Sequence, residues 1–412
     1  MSPSAKDRSI LRELGKRVAE IAALPIQQET IALWKANNDL HPVRPMVTID
    51  QVCWNEMNVD DELTLRTEDP FCKEMETQLR RVIYAWTHMP VDMVVEPIVE
   101  VGKVVHNTGF GISTKEDILQ LDPTNAVVSH SFYDQLKTED DLARIHAPEL
   151  TLDEAATAQR EAIAHEVFDG VLGVRMQGMF PMFAPWDMLA CWRGAEAIVW
   201  DLADRPEFMH RIISTITDHY MDMLDQMEEK GLLGWGQPLI HCTGAWTDQL
   251  PAPGANPAKP RAKDLWTCGM AQIFSTVSPA MQKEFDLDYA ARWYERFGLV
   301  YYGCCEPLDR KVDIIRAMPH VRKVSMSPWV DVNRGAEALA PDLVFSRKPN
   351  PALLAVETFS PANVEEHLRE TKEACDRYGC ACEFILKDIS TVRYQPQRLW
   401  EWGEIAMRVV EG

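Results

Sequence analysis

The stretch Leu299-Val300-Tyr301-Tyr302-Gly303-Cys304-Cys305-Glu306-Pro307-Leu308-Asp309 decides how this chain is read. Its first four residues form a short apolar run rich in β-formers, the pattern of a buried strand. A glycine, two thiols and a carboxylate follow, and then a helical pattern in which Leu308, Val312 and Ile315 share one face. Strand, polar turn and helix in that order make a βα unit. Thiols beside a carboxylate at such a turn sit where an α/β barrel places a metal or a nucleophile.

The same rhythm continues outward. Strand-like runs at 321–326, 343–346 and 380–386 alternate with helices, one of them opened by Ser360-Pro361 and running to about Tyr378. Before the opening stretch, strands are expected at 45–49, 91–95, 174–183 and 239–242, the second halted by Glu96-Pro97. The segment 101–113 reads as a hairpin inserted beyond the second strand, and 251–260, rich in Pro and Gly, as a lid-like loop. Eight strands with helices between them predict an α/β fold, a (β/α)8 TIM barrel. Residues 1–40 are read as an N-terminal helical extension and 41–412 as the barrel.

Composition narrows the function. With 63 acidic against 42 basic residues the formal net charge is -21, so neither nucleic acid nor an anionic membrane is an expected partner. Residues 1–28 are charged and amphipathic rather than apolar-centred, and no run approaches the ~20 apolar residues of a membrane span. A cytoplasmic protein is expected. The ten cysteines are scattered without a CxxC pair, which favours reduced thiols used in packing, catalysis or metal binding.

Several segments resemble the uroporphyrinogen decarboxylase superfamily. They are Ala184-Pro185-Trp186-Asp187 through Gly194, Asp204-Arg205-Pro206-Glu207, Phe274 through Phe285, and Ser346-Arg347-Lys348-Pro349-Asn350-Pro351, in order across roughly 40–408. The resemblance implies a (β/α)8 barrel with its site at the strands' C-terminal mouth. It also implies one of two activities. One is decarboxylation of tetrapyrrole acetates, without a cofactor. The other is zinc-dependent methyl transfer between a small substrate, a corrinoid protein and a thiol or folate. The decarboxylases carry an arginine motif after the first strand, where this chain has Asp50 and Glu56, so uroporphyrinogen itself is not the expected substrate. The methyltransferases carry His-x-Cys after the fifth strand and a further Cys after the eighth. Here Cys304 matches, Tyr302 stands for the histidine, and Leu386-Lys387-Asp388 has no cysteine.

The expected site follows. Cys304, Glu306, Arg347 and Lys387 are assigned the chemistry, and Glu56, Trp186, Tyr302, Trp329, Lys348 and Asp388 the substrate. His241, Cys304 and Cys305 form the replacement ligand set for zinc. Alternation places Tyr302, Cys304 and Glu306 on one side if the strand stays extended. The leading expectation is methyl transfer between a small methoxylated or N-methylated compound and a corrinoid-carrying partner, with a homodimer admissible. The alternative is a metal-free decarboxylase or lyase of a small acid using Arg347, Lys348 and Asp388.

Overall fold

Parallel pairing of short strands, each followed by helix, organises the chain. The computed structural model describes residues 3–121, 123–125 and 127–412. The strands that carry the architecture are β1 (Met46–Ile49), β2 (Ile98–Gly102), β3 (Gly173–Gln177), β4 (Met182–Phe183), β5 (Trp266–Gly269), β6 (Leu299–Tyr302), β7 (Val321–Met326), β8 (Val344–Arg347) and β9 (Cys382–Leu386). Seven of them form one sheet in the order β1-β9-β8-β7-β6-β5-β4, while β2 pairs only with β3. Every neighbouring pair is parallel. A sequential order whose last strand returns to the first belongs to a sheet rolled on itself. Among the described residues no ladder joins β1 to β2 or β3 to β4, so the roll is not a closed barrel.

Burial shows which side is inside. Leu299 and Tyr301 join Trp266, Cys268, Ile385 and Cys242 in an inner cluster. Val300 and Tyr302 belong with Val324, Phe345 and Phe384 to the layer under the helices. Alternation along the strands produces this division. The pair β2·β3 behaves likewise: Val99 and Val101 face Leu11 and Val18 of helix α1 (Ala5–Ala22) and Leu79 of another helix (Pro70–His88), leaving Glu100 and Arg175 on the opposite side. The described N-terminal residues form α1 and α2 (Ile26–Asn38). The second of these reaches the strands' N-terminal ends, where Asn38 Nδ2 donates to Gly244 O at 2.9 Å and Trp246 O at 2.7 Å.

Several elements differ from the sequence reading. Residues 91–95 form no strand, because Asp92 instead accepts from Val47 N at 2.7 Å and pairs with Arg44. The strand starts after Pro97, which marks its beginning and not its end. Residues 239–242 are not the neighbour of β6; Leu239–Ile240 folds back antiparallel on Thr243–Gly244, and β5 takes the place beside β6. Four residues set between a Pro-rich loop and a 3-10 turn give β5 no period to detect. The span 174–183 divides into β3 and β4. The expected hairpin at 101–113 is replaced by Val105–Asn107 pairing with Leu150–Leu152, and the true hairpin is Glu116–Leu119 with Ser129–Phe132. The helix of 360–378 is as read: Ser360 caps it, Pro361 opens it, and left-handed Gly379 ends it. No helix of the described residues is long and apolar enough to cross a membrane.

One ion pair sits in the lower half of the roll. Lys323 Nζ lies 2.8 Å from Glu383 Oε2 with both side chains fully buried, and Nζ also donates to Gly244 O at 3.0 Å. Thr243 and Ser346 hydroxyls donate to the same carboxylate, and Trp34 and Trp266 face the ammonium at 5.3 and 5.7 Å. Removing one partner strands the other charge in a low-dielectric interior. Lys323→Met is therefore expected to lower unfolding free energy by about 3–5 kcal/mol in a denaturant titration. The double variant Lys323→Met with Glu383→Leu should recover most of the loss; equal stability of the single variant and the native chain would contradict the pairing.

Candidate active site

The turn after β6 brings the thiols inward. Gly303 has φ 93, a conformation costly for a side-chain-bearing residue, and a Cβ there would lie 2.5 Å from Leu308 Cδ1. Tyr302 faces outward by the strand's alternation, its hydroxyl donating to Asp286 at 2.6 Å and accepting from Gln282 at 2.6 Å. The left-handed Gly303 breaks that alternation and turns Cys304 in beside Tyr301. The expectation that Tyr302 and Cys304 share a side fails for this reason.

Glu306 anchors the turn. It is fully buried, and its two oxygens accept from Cys304 N at 2.8 Å and Ala271 N at 3.4 Å. Burial pushes its carboxyl up to about 7. It positions the Cys304 backbone and is not itself placed to react.

Around Cys304 the inner ends of four segments converge. Lys387, next after β9, places Nζ 3.0 Å from Cys304 Sγ, and Cys305 Sγ lies 3.4 Å from the same sulfur. Asp388, with φ 57, accepts from Cys305 Sγ at 3.4 Å and stands 3.5 Å from Lys387 Nζ. Lys348, next after β8, donates to the Tyr301 hydroxyl and lies 4.9 Å from its ring. His241 stacks on Tyr301 at 5.1 Å, with Nδ1 2.7 Å from Cys242 Sγ. Ser325 donates to the Cys304 carbonyl from β7.

These neighbours set the charges. The hydrogen bond from Cys305 holds the Cys304 thiol well below its usual range against the cost of burial, and His241 and Lys387 act in the same sense. Cys305 is pushed up correspondingly, first by that shared hydrogen bond and then by burial. Burial opposes the Lys387 ammonium, but the sulfurs around it more than offset that and raise it. Lys348 has no such partner as close. Burial lowers it, and the Lys387 charge adds to the lowering.

Other expected residues stand elsewhere. Arg347 faces the outer layer, where Nη1 donates to Ser327 O at 2.5 Å and burial lowers its pKa. Glu56 is buried and accepts from Thr391 Oγ1, Val392 N and Tyr394 N at 2.7, 2.8 and 3.0 Å, clamping the loop after β9. Trp186 is fully buried in the outer layer with Nε1 donating to Phe285 O at 3.0 Å. Trp329 lies past β7 on the rim and is 74% exposed. The sequence reading missed Tyr301 and Ser325. Tyr301 was legible from the alternation once Gly303 is taken as the break.

The residues offered for zinc do not fit it. The Cys304 sulfur already meets an ammonium at 3.0 Å, a cation where the metal would stand. Among the described residues, no group of three or more His, Cys, Asp and Glu side chains is placed to hold a metal ion.

No family model matches the sequence, and no curated protein matches it. Among solved structures the chain is similar to a methyltransferase from Methanosarcina mazei, with a TM-score of 0.50 and 9% sequence identity over 92% of this chain and 98% of that one. At that identity the likeness speaks for the fold.

The electrostatics give a direct expectation. Lys387→Met removes the nearest cation from Cys304, so the thiolate fraction at neutral pH should fall and alkylation of Cys304 by iodoacetamide should slow by about tenfold or more. An unchanged rate would show that Lys387 does not hold the thiolate.

Proposed function

We propose that this chain is an enzyme that moves a methyl group from a small methylated substrate through Cys304. The observation that carries this reading is the contact of Cys304 Sγ with Lys387 Nζ at 3.0 Å, just past the C-terminal end of β6 where the family resemblance expects a cysteine. The fold shared with a methyltransferase supports it.

The residues divide the work. Cys304 Sγ attacks the methyl carbon; the S–CH3 bond forms as the bond from that carbon to the substrate heteroatom breaks, and the bonding pair stays on the heteroatom. Lys348, lowered by burial and held by Tyr301, supplies a proton to a heteroatom that leaves as an anion. Lys387 neutralises the thiolate before attack and receives its charge again when the methyl passes on. Zinc would supply Lewis acidity to the leaving heteroatom; in this site the Lys348 ammonium takes that role.

A corrinoid carried by a partner protein would supply the methyl-accepting centre. The rim suits such a visitor. Asn125 Nδ2 donates to Ser390 O at 3.0 Å, holding Asn125 against the loop after β9. Leu121, Val127, Trp329 and Tyr394 are 88%, 60%, 74% and 62% exposed. A small-acid decarboxylase is the second reading, favoured by the convergence of Lys348 and Lys387, but it loses Arg347 to the outer layer.

The test uses methoxybenzoates and methylated ammonium compounds offered without an acceptor. Mass spectrometry should find a methyl group on Cys304, Cys304→Ala should form none, and Lys348→Met should slow its appearance by about 100-fold, within the range of general-acid effects. Demethylation by Cys304→Ala at the native rate would overturn the proposal, as would release of carbon dioxide from a carboxylic acid by that variant.

A further inference from the structure

Cys305 takes no part in the chemistry proposed above, yet it stands between that chemistry and solvent. Of the ten cysteines it is the one that is exposed; Cys191 is half-buried, and the other eight, Cys304 among them, are buried. Its sulfur lies 3.4 Å from Cys304 Sγ, so a shift of about 1.4 Å brings the pair to the ~2 Å of a disulfide bond.

Two flanking groups prepare the pair for oxidation. Lys387 Nζ, 3.0 Å from Cys304 Sγ, stabilises that sulfur as an anion, the form that attacks an oxidant. Asp388 Oδ2 accepts from Cys305 Sγ at 3.4 Å, so a base is in place for the proton that Cys305 must give up when it attacks in turn. The backbone allows the approach. Residues 304–306 lie outside helix and strand, so no ladder breaks when the sulfurs move together. Cys242 and Cys268 of the same inner cluster are both buried, and the Cys242 sulfur is engaged by His241 Nδ1 at 2.7 Å.

We propose that Cys304 and Cys305 form a reversible oxidation site, at which a hydroperoxide converts the two neighbouring thiols to a disulfide and so withdraws the nucleophile. The Cys304 thiolate attacks one oxygen of the peroxide. The S–O bond forms as the O–O bond breaks, and the other oxygen leaves with a proton from the Lys387 ammonium, which regains one from water. Cys305, giving its proton to Asp388, then attacks the Cys304 sulfur. The S–S bond forms, the S–O bond breaks, and the departing hydroxide takes the proton from Asp388 to become water. The two sulfurs together lose two electrons, and the peroxide bond accepts them. Neighbouring residues joined by a trans peptide, as these are, hold their Cα atoms about 3.8 Å apart, short of the ~4.4–6.8 Å usual in disulfides. The bond is therefore strained and a dithiol reopens it, whereas a sulfenic acid without a second thiol goes on to irreversible products. The proposal rests on the methyl-transfer reading for its consequence alone; the disulfide follows from the thiol pair.

Peptide mass spectrometry after brief treatment of the native chain with a small molar excess of hydrogen peroxide tests it. The tryptic peptide Phe297–Arg310 holds both thiols. It should lose two hydrogens, resist alkylation by iodoacetamide, and recover both thiols in dithiothreitol. In Cys305→Ser the same treatment should leave sulfenic acid on Cys304, trapped by dimedone at least about tenfold more than in the native chain. A disulfide from Cys304 to Cys242 or Cys268, sulfinic acid on Cys304 of the native chain, or equal dimedone labelling of the two chains would overturn the proposal. With the methyl donors named above, methylation of Cys304 should vanish in the oxidised chain and return on reduction. A disulfide in a chain that no donor methylates would leave the oxidation site standing and remove the methyl-transfer reading. Methylation of Cys304 in a chain that forms no disulfide would do the reverse.

Discussion

A charge inside a rolled sheet has to be answered by another charge, and β9 carries two. Its inward face presents Glu383 near the bottom and Lys387 just past its top, four residues apart and so on the same side of the strand. Each meets a group that answers it: Lys323 for the first, at 2.8 Å, and Cys304 Sγ for the second, at 3.0 Å, with the Asp388 carboxylate at 3.5 Å. The two pairs differ in what surrounds them. The lower one has hydroxyl donors, a carbonyl and two indoles around it and is sealed by α2. The upper one is shared with a second thiol at 3.4 Å, a carboxylate and a neighbouring lysine, at the end of the roll where loops replace helices. The first is a structural fastener. The second holds the proposed nucleophile.

The same constraint bears on the ligand set offered for zinc. A dication beside Cys304 would have to displace Lys387, whose ammonium is stabilised by the sulfur it faces. Tyr302, standing where the resemblance expects a histidine, faces the outer layer by strand alternation and is bound there to Asp286 and Gln282. In the proposed reaction Lys348 would activate the leaving group by proton donation, where a metal would do so by Lewis acidity. The nucleophile is Cys304 in either case.

Much of this was readable in the residues. The run from Leu299 to Asp309 identified the turn that carries Cys304 and Cys305, and Lys348 and Lys387 were picked out, with Arg347 and Asp388, as charged groups that follow expected strands. Period-two alternation supports both, since Ser346 and Lys348, and Glu383 and Lys387, share their inward faces. The failures have local causes. Arg347 is adjacent to Lys348 and therefore opposite to it, which the position of the loop concealed. Glu56 looked like a rim acid because nothing local shows that three donors of the 391–394 loop close on it. The strand β5 was hidden by its length, and β2 by a proline taken as a stop. The gap beside β1 depends on which strands fail to pair. That is a property of the assembled sheet, and no segment announces it.

The account turns on Cys304 being a thiolate in the resting protein. The most direct measurement is the pH dependence of its alkylation rate, followed by mass spectrometry of the Cys304 peptide from the native chain. Because the thiol is held well below its usual range, the thiolate persists as pH falls, and the rate should stay nearly flat from alkaline pH down to mildly acidic pH. A rate that instead falls through the ordinary thiol range of about 8–9 would mean that Cys304 is protonated at neutral pH, and the proposed nucleophile would not exist.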